Sequence, residues 1–155
     1  MQNGFFRYGH RALRSLVLGA AIVFAAPVLG ATLPTENEQE ILVKATLMTF
    51  NDANLTGNYS VLYDKSSKAF RGQITSDKLS EAFKVFRSRK VNLESIVADE
   101  IDSIKTPKID ENGILQLQGR FKDEDKKIRF DLKFVHEDGA WKMVGLNVEI
   151  GRAHV

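Results

Sequence analysis

The chain has 155 residues, of which 43% are hydrophobic and 27% charged, and it contains no cysteine. This length suits a single domain with its own core. Without cysteine the protein cannot form a disulfide or carry a lipid on a thiol, so the core alone must hold the fold. These properties exclude a disulfide-stabilised scaffold and a lipoprotein.

The N-terminal segment, residues 1–31, has the pattern of a cleavable secretory signal. Arg7, Arg11 and Arg14 precede an apolar run over residues 16–29, and the small pair Gly30-Ala31 follows it. A basic segment, a short apolar run and small residues at the end are typical of such signals. The run is shorter than the ~20 apolar residues that span a bilayer, so we predict cleavage rather than a membrane anchor.

Removal of this segment changes the charge of the protein. The whole chain has a net charge of +2 at pH 7, whereas loss of its three arginines leaves 19 basic and 20 acidic residues. A net charge of about −1 gives no electrostatic reason to expect a nucleic-acid partner. We therefore predict one domain over residues 32–155, periplasmic or secreted, which meets a membrane only during export.

The first part of this domain predicts three helices. The first covers residues 35–53, the second begins after Asn58 and ends at Gly72, and the third begins at Thr75. The predicted buried stripe of the first helix consists of apolar residues spaced by three and four: Ile41, Leu42, Ala45 and Met48. Other apolar residues surround most of this helix, with Asn51 on the narrow polar side, so we expect it to lie inside a curved sheet.

The second part predicts antiparallel strands, because its apolar residues alternate with polar ones. Strands over residues 115–121 and 128–134 are joined by a charged tip, Asp123-Glu124-Asp125, and Asp138-Gly139 predicts the next turn. The final strand, Trp141 to Ile150, changes phase after Met143, which indicates a bulge or a strand covered on both faces. An earlier strand is expected near residues 95–109, where Pro107 restricts it to an edge. Three helices followed by about four strands make an α+β domain.

Two groups of residues resemble the NTF2-like (cystatin-like, SnoaL-like) superfamily. They are residues 49–59, which include Thr49-Phe50-Asn51-Asp52-Ala53, and residues 137–144, where an acidic-glycine turn enters a Trp-Lys strand. The whole chain after the signal resembles small exported bacterial members, especially over residues 109–115 and 130–134. The resemblance implies a cone in which a strongly curved sheet wraps the helices and leaves a pocket. Some members are isomerases, dehydratases or cyclases, others bind ligands or proteins, and many pair through the sheet, which would make a homodimer.

Five residues are candidates for work in such a pocket. Asp52 is the catalytic candidate, since it is in phase with the predicted buried stripe, although it could instead cap the helix or face solvent. The ligand-binding candidates are aromatic residues and a methionine that could equally be core: Tyr59, Tyr63, Trp141 and Met143. His136 and His154 are isolated, which does not favour a metal site, and no motif predicts a cofactor.

These observations favour an exported, non-catalytic binding module that holds a small apolar ligand or a partner protein. The alternative is a pocket enzyme of the isomerase or dehydratase type, which would use a buried carboxylate and a tyrosine. Burial of Asp52 within reach of Tyr59 or Tyr63 would favour the enzyme, and exposure would remove its support.

Overall fold

The computed structural model describes residues 18–19, 30–122 and 126–152. Most of the predicted signal segment, the charged tip at residues 123–125 and His154 lie outside the described residues. Within the described residues, no helix is both long enough and apolar enough to cross a membrane.

The helical part is divided more finely than the sequence predicted. The described residues form five α-helices and one 3₁₀-helix: α1 Glu36–Thr56, α2 Ser60–Lys65, α3 Lys68–Arg71, α4 Ser76–Ala82, α5 Lys84–Ser88 and the 3₁₀-helix Glu94–Val97. The predicted second helix is broken because Ser66 is extended, and the Ser67 hydroxyl caps α3 by accepting from the Phe70 N–H. The Ser67 N–H also donates to the Met143 carbonyl oxygen at 2.9 Å, which ties this break to the final strand.

The strands form one antiparallel sheet, which confirms the α+β class. They are β1 Leu18–Gly19, β2 Ile101–Ser103, β3 Lys108–Ile109, β4 Ile114–Phe121, β5 Lys126–Glu137 and β6 Ala140–Arg152. Their order is β1-β6-β5-β4-β2, with β3 also paired to β4. The single strand expected before residue 109 is therefore two short strands on the edge of β4, on either side of Pro107. The edge strand β1 belongs to the predicted signal segment, so the cleaved protein would keep only the other five of the described strands. The predicted counts of three helices and about four strands are both too low for the described residues.

The phase change in the final strand is a β-bulge, as the sequence indicated. Lys133 pairs with Gly145 whereas Phe134 pairs with Met143, so Val144 is the extra residue. The bulge brings Trp141 and Met143 to the same face as the apolar residues that follow it. At the turn before β6, Asp138 and Gly139 both have positive φ, 51° and 77°, which fits a two-residue hairpin turn.

The buried face of α1 differs from the predicted stripe. Val43, Leu47 and Phe50 are buried, whereas Ile41 is 57% exposed and Ala45 is also exposed. Asn51, predicted to lie on the polar side, is fully buried. Leu42 and Met48 of the predicted stripe are half-buried and pack against the core. The prediction was wrong for Ile41, Ala45 and Asn51, because apolar residues surround most of this helix and their spacing does not single out one face.

Candidate functional site

The larger of two described cavities lies between the first half of α1, the segment that joins β2 to β3, and strands β4 and β5. Its volume is about 560 Å³. The apolar part of the lining contains six residues: Val43, Ile101, Ile104, Pro107, Leu117 and Phe130. The polar part contains Glu36, Gln39, Glu40, Lys105 and Thr106, together with Gln118. We call this the helix–strand cavity.

The helix side of this cavity is fixed by the start of α1. Thr35 caps the helix, since its hydroxyl accepts from the Glu38 N–H at 3.3 Å while the Glu38 carboxylate accepts from the Thr35 N–H at 2.8 Å. The bond from the Thr35 N–H to the Glu38 carboxylate lowers the pKa of Glu38 most, and the Thr35 hydroxyl, which donates to the same carboxylate at 2.9 Å, lowers it further. One turn later Glu40 pairs with Lys44 at 2.7 Å, and the Lys44 ammonium also donates to the Val97 carbonyl. The first turns of α1 are thus anchored, and Glu36 and Glu40 lie at one side of the cavity.

The strand side is shaped by a close approach between Phe130 and Gly119. A Cβ at Gly119 would lie 2.6 Å from Cζ of the Phe130 ring, so only glycine leaves room for the ring there. The neighbouring strand β2 is held by Arg120, whose Nε donates to Asp102 Oδ2 at 2.8 Å. The ring that lines the cavity is therefore positioned by a glycine in β4.

A second, smaller cavity of about 220 Å³ lies between the outward face of α1, the end of α2 and the β5–β6 hairpin. Its lining is mainly apolar and includes Ile41, Leu42, Ala45, Leu62, Phe134, Trp141 and Met143. Lys142 also lines it, and its remaining polar residues lie on the helices: Thr46, Thr49 and Lys65. The Lys65 ammonium donates to Thr49 Oγ1 at 3.4 Å. We call this the helix–hairpin pocket.

Trp141 and Met143, two of the four predicted ligand-binding residues, meet in the helix–hairpin pocket. Trp141 is half-buried, and its ring contacts His136 edge-on with the centroids 5.2 Å apart. Met143 is buried. The structure therefore places this predicted pair at a cavity, though at the smaller one.

Tyr59 and Tyr63 line neither of these cavities. Tyr59 is buried, and its hydroxyl donates to Asn54 Oδ1. Burial raises its pKa, against the opposing effects of the hydrogen bond and charge of Arg87, whose guanidinium carbon lies 5.5 Å from the Tyr59 ring centroid. Tyr63 is half-buried and donates to the Arg71 carbonyl oxygen at 3.3 Å. Both tyrosines serve internal contacts here.

Asp52 is exposed, because α1 continues through it to Thr56 and turns it outward with Ile41 and Ala45. An exposed carboxylate is solvated, so Asp52 lacks the buried, apolar site that the enzyme hypothesis requires. The structure gives no support to the buried-carboxylate chemistry at this residue. Across the described residues, no group of three or more His, Asp or Glu side chains is placed to hold a metal ion.

The sequence analysis did not identify the residues of the helix–strand cavity. Glu36 and Glu40, one turn apart, and Ile104, close to Pro107, were the available signals, but each is also typical of an exposed helix or loop. Comparison with protein families, with curated proteins and with solved structures finds no match for this chain. The NTF2-like resemblance therefore stays a prediction from its motifs.

Proposed function

We propose that this protein is an exported, non-catalytic binding module that holds a small, largely apolar molecule in the helix–strand cavity, within an NTF2-like fold. The observation that carries the proposal is the cavity itself. Its volume of about 560 Å³ falls within the ~300–1,000 Å³ typical of small-molecule sites. Six of its twelve lining residues are apolar, from both the helix and the sheet, and the other six are polar.

Ile104 supports this proposal independently of the volume. It lines the cavity, yet 54% of it is exposed. A ligand in the cavity would cover apolar surface of Ile104 that now meets water, and burial of apolar surface is favourable by about 25 cal/mol per Å². Glu36, Glu40 and Lys105 leave polar groups at the same cavity for the polar end of a ligand. A pocket enzyme would need a buried acid other than Asp52.

Binding is tested with N-phenyl-1-naphthylamine, a neutral apolar probe whose fluorescence rises when it leaves water. Ile104→Ser should weaken probe binding by about fivefold, which corresponds to loss of part of one buried apolar side chain. Val97→Ser is the matched control, because Val97 is 59% exposed and lines neither cavity. Absence of probe binding, or an equal loss in both variants, would contradict the proposal.

Export is tested separately by the intact mass of protein purified from the periplasm after expression of the whole chain. Cleavage after Gly30 or Ala31 would give a mass that begins at Ala31 or Thr32. A mass that retains residues 1–30 would contradict the predicted signal. Native mass spectrometry of the same sample reads the subunit number and any retained small molecule.

A further inference from the structure

The outward face of α1 carries apolar residues that the core does not use. Ile41 and Ala45 are exposed, and both line the helix–hairpin pocket together with half-buried Trp141. Exposed apolar residues are common when single, but here they surround a concave site. The floor of that site belongs to the packed core, since Leu62, Phe134 and Met143 are all buried.

The polar groups of this pocket lie together on its helical side. Lys65 is exposed, and its ammonium reaches Thr49 Oγ1 at 3.4 Å, while Thr46 adds a second hydroxyl to the lining. The Thr49 hydroxyl itself donates to the Ala45 carbonyl oxygen at 2.9 Å. Among the described residues, no carboxylate forms an ion pair with Lys65. An apolar floor with an ammonium at one side is complementary to an anion that has an apolar tail.

We propose that the helix–hairpin pocket binds a linear aliphatic carboxylate, with its chain against Trp141 and its carboxylate at Lys65. A volume of about 220 Å³ is below the ~300–1,000 Å³ of larger ligand sites, which favours a short or medium chain. This site is separate from the helix–strand cavity, so it stands whether or not the proposed function holds.

The test uses octanoate and follows the fluorescence of Trp141, which is the only tryptophan in the chain. Octanoate should shift the emission to shorter wavelength, because the chain excludes water from the indole. The neutral analogue octanol should bind more weakly. Lys65→Met, which keeps an apolar stem, should weaken octanoate binding by about three- to fivefold, as expected for an exposed charge pair, and should leave octanol binding unchanged.

Three further variants test whether the octanoate signal arises from binding in the helix–hairpin pocket. Lys78→Met removes a charge from an exposed lysine that lines neither cavity and should leave octanoate binding intact. Ala45→Phe fills the pocket from an exposed helical position and should abolish the fluorescence change, with folding checked by circular dichroism. Ile104→Ser should leave the octanoate signal intact, which separates this site from the helix–strand cavity. Equal binding of octanol and octanoate, or no response of Trp141, would overturn the proposal.

Discussion

Each face of α1 carries an exception to the usual distribution of polar and apolar side chains, although the buried face consists mainly of Val43, Leu47 and Phe50. On the buried face, Asn51 and Asn54 are 0% and 6% exposed. On the outward face, Ile41 is 57% exposed. Polar residues are thus inside and a large apolar residue is outside, in the same helix.

Hydrogen bonds explain most of the inward polar atoms, whereas Asn51 Nδ2 is buried without a hydrogen-bond partner among the described residues. Asn51 Oδ1 accepts from the Leu93 N–H at 2.8 Å, across 42 positions of sequence. Asn54 Nδ2 donates to the Phe50 carbonyl at 3.0 Å, and its Oδ1 accepts from the Tyr59 hydroxyl. A buried amide is tolerated when such partners exist. The outward Ile41 needs no hydrogen-bond partner, and it lines the helix–hairpin pocket.

The largest expected loss of stability comes from removing the Asn51 side chain, which hydrogen-bonds to the segment after α5. Asn51→Ala leaves the buried Leu93 N–H without its acceptor, and we expect the free energy of unfolding to fall by about 2 kcal/mol. Asp52→Ala, one residue away on the exposed face, should change it by less than ~0.5 kcal/mol. Urea unfolding followed by circular dichroism measures both. Equal effects would remove the distinction between the two faces.

This contrast also shows how much the sequence could predict. The α+β class, the Asp138-Gly139 turn and the bulge at Val144 follow from alternation and turn residues, which are local signals. The buried face of α1 does not, because Asn51 depends on Leu93, which is distant in sequence. The break at Ser66-Ser67 depends in the same way on Met143. The helix–strand cavity needs four elements to come together, so no single motif could reveal it.

A second test removes the Tyr59 hydroxyl, which donates a hydrogen bond to the buried side chain of Asn54. Tyr59→Phe should lower the free energy of unfolding by about 1.5 kcal/mol, since it leaves a buried acceptor with one partner fewer. Tyr63→Phe is the control, because Tyr63 is half-buried and its bond to Arg71 is longer. A smaller loss in Tyr59→Phe than in Tyr63→Phe would argue against a structural role for the Asn54–Tyr59 pair.

The same tyrosine predicts a pH dependence. Burial raises the pKa of Tyr59 above its ordinary value of 10.0. Above that pH the unfolded chain loses the phenolic proton first, so it binds fewer protons than the folded chain and stability falls as pH rises. Below pH ~9 both states keep the proton and the effect is absent. Between pH 9.5 and 11 the free energy of unfolding should fall less steeply in Tyr59→Phe than in Tyr63→Phe. Parallel stability curves for the two variants would contradict this pH dependence.

A smaller loss of stability is expected when the N-cap of α1 is removed. Thr35→Ala removes the acceptor for the Glu38 N–H, and the loss of an N-cap costs about 1 kcal/mol. The pKa of Glu38 should rise only in part, because this variant loses the hydroxyl bond to the carboxylate but keeps the backbone N–H bond, which lowers the pKa most. Thr32→Ala, at an exposed position before the helix, is the control. Thermal unfolding and NMR titration of Glu38 read the two consequences separately.

The smallest effect on stability is expected on the outward face of α1, where a substitution should weaken ligand binding without weakening the fold. Ile41→Ser should change the free energy of unfolding by less than ~0.5 kcal/mol, because the side chain is already mostly in water. It should nevertheless weaken octanoate binding at Trp141, since it removes apolar surface from the pocket wall. Val61→Ser, 53% exposed and lining neither cavity, should change neither quantity. A loss of stability in Ile41→Ser without a loss of binding would make Ile41 part of the core and leave the outward face without a ligand role.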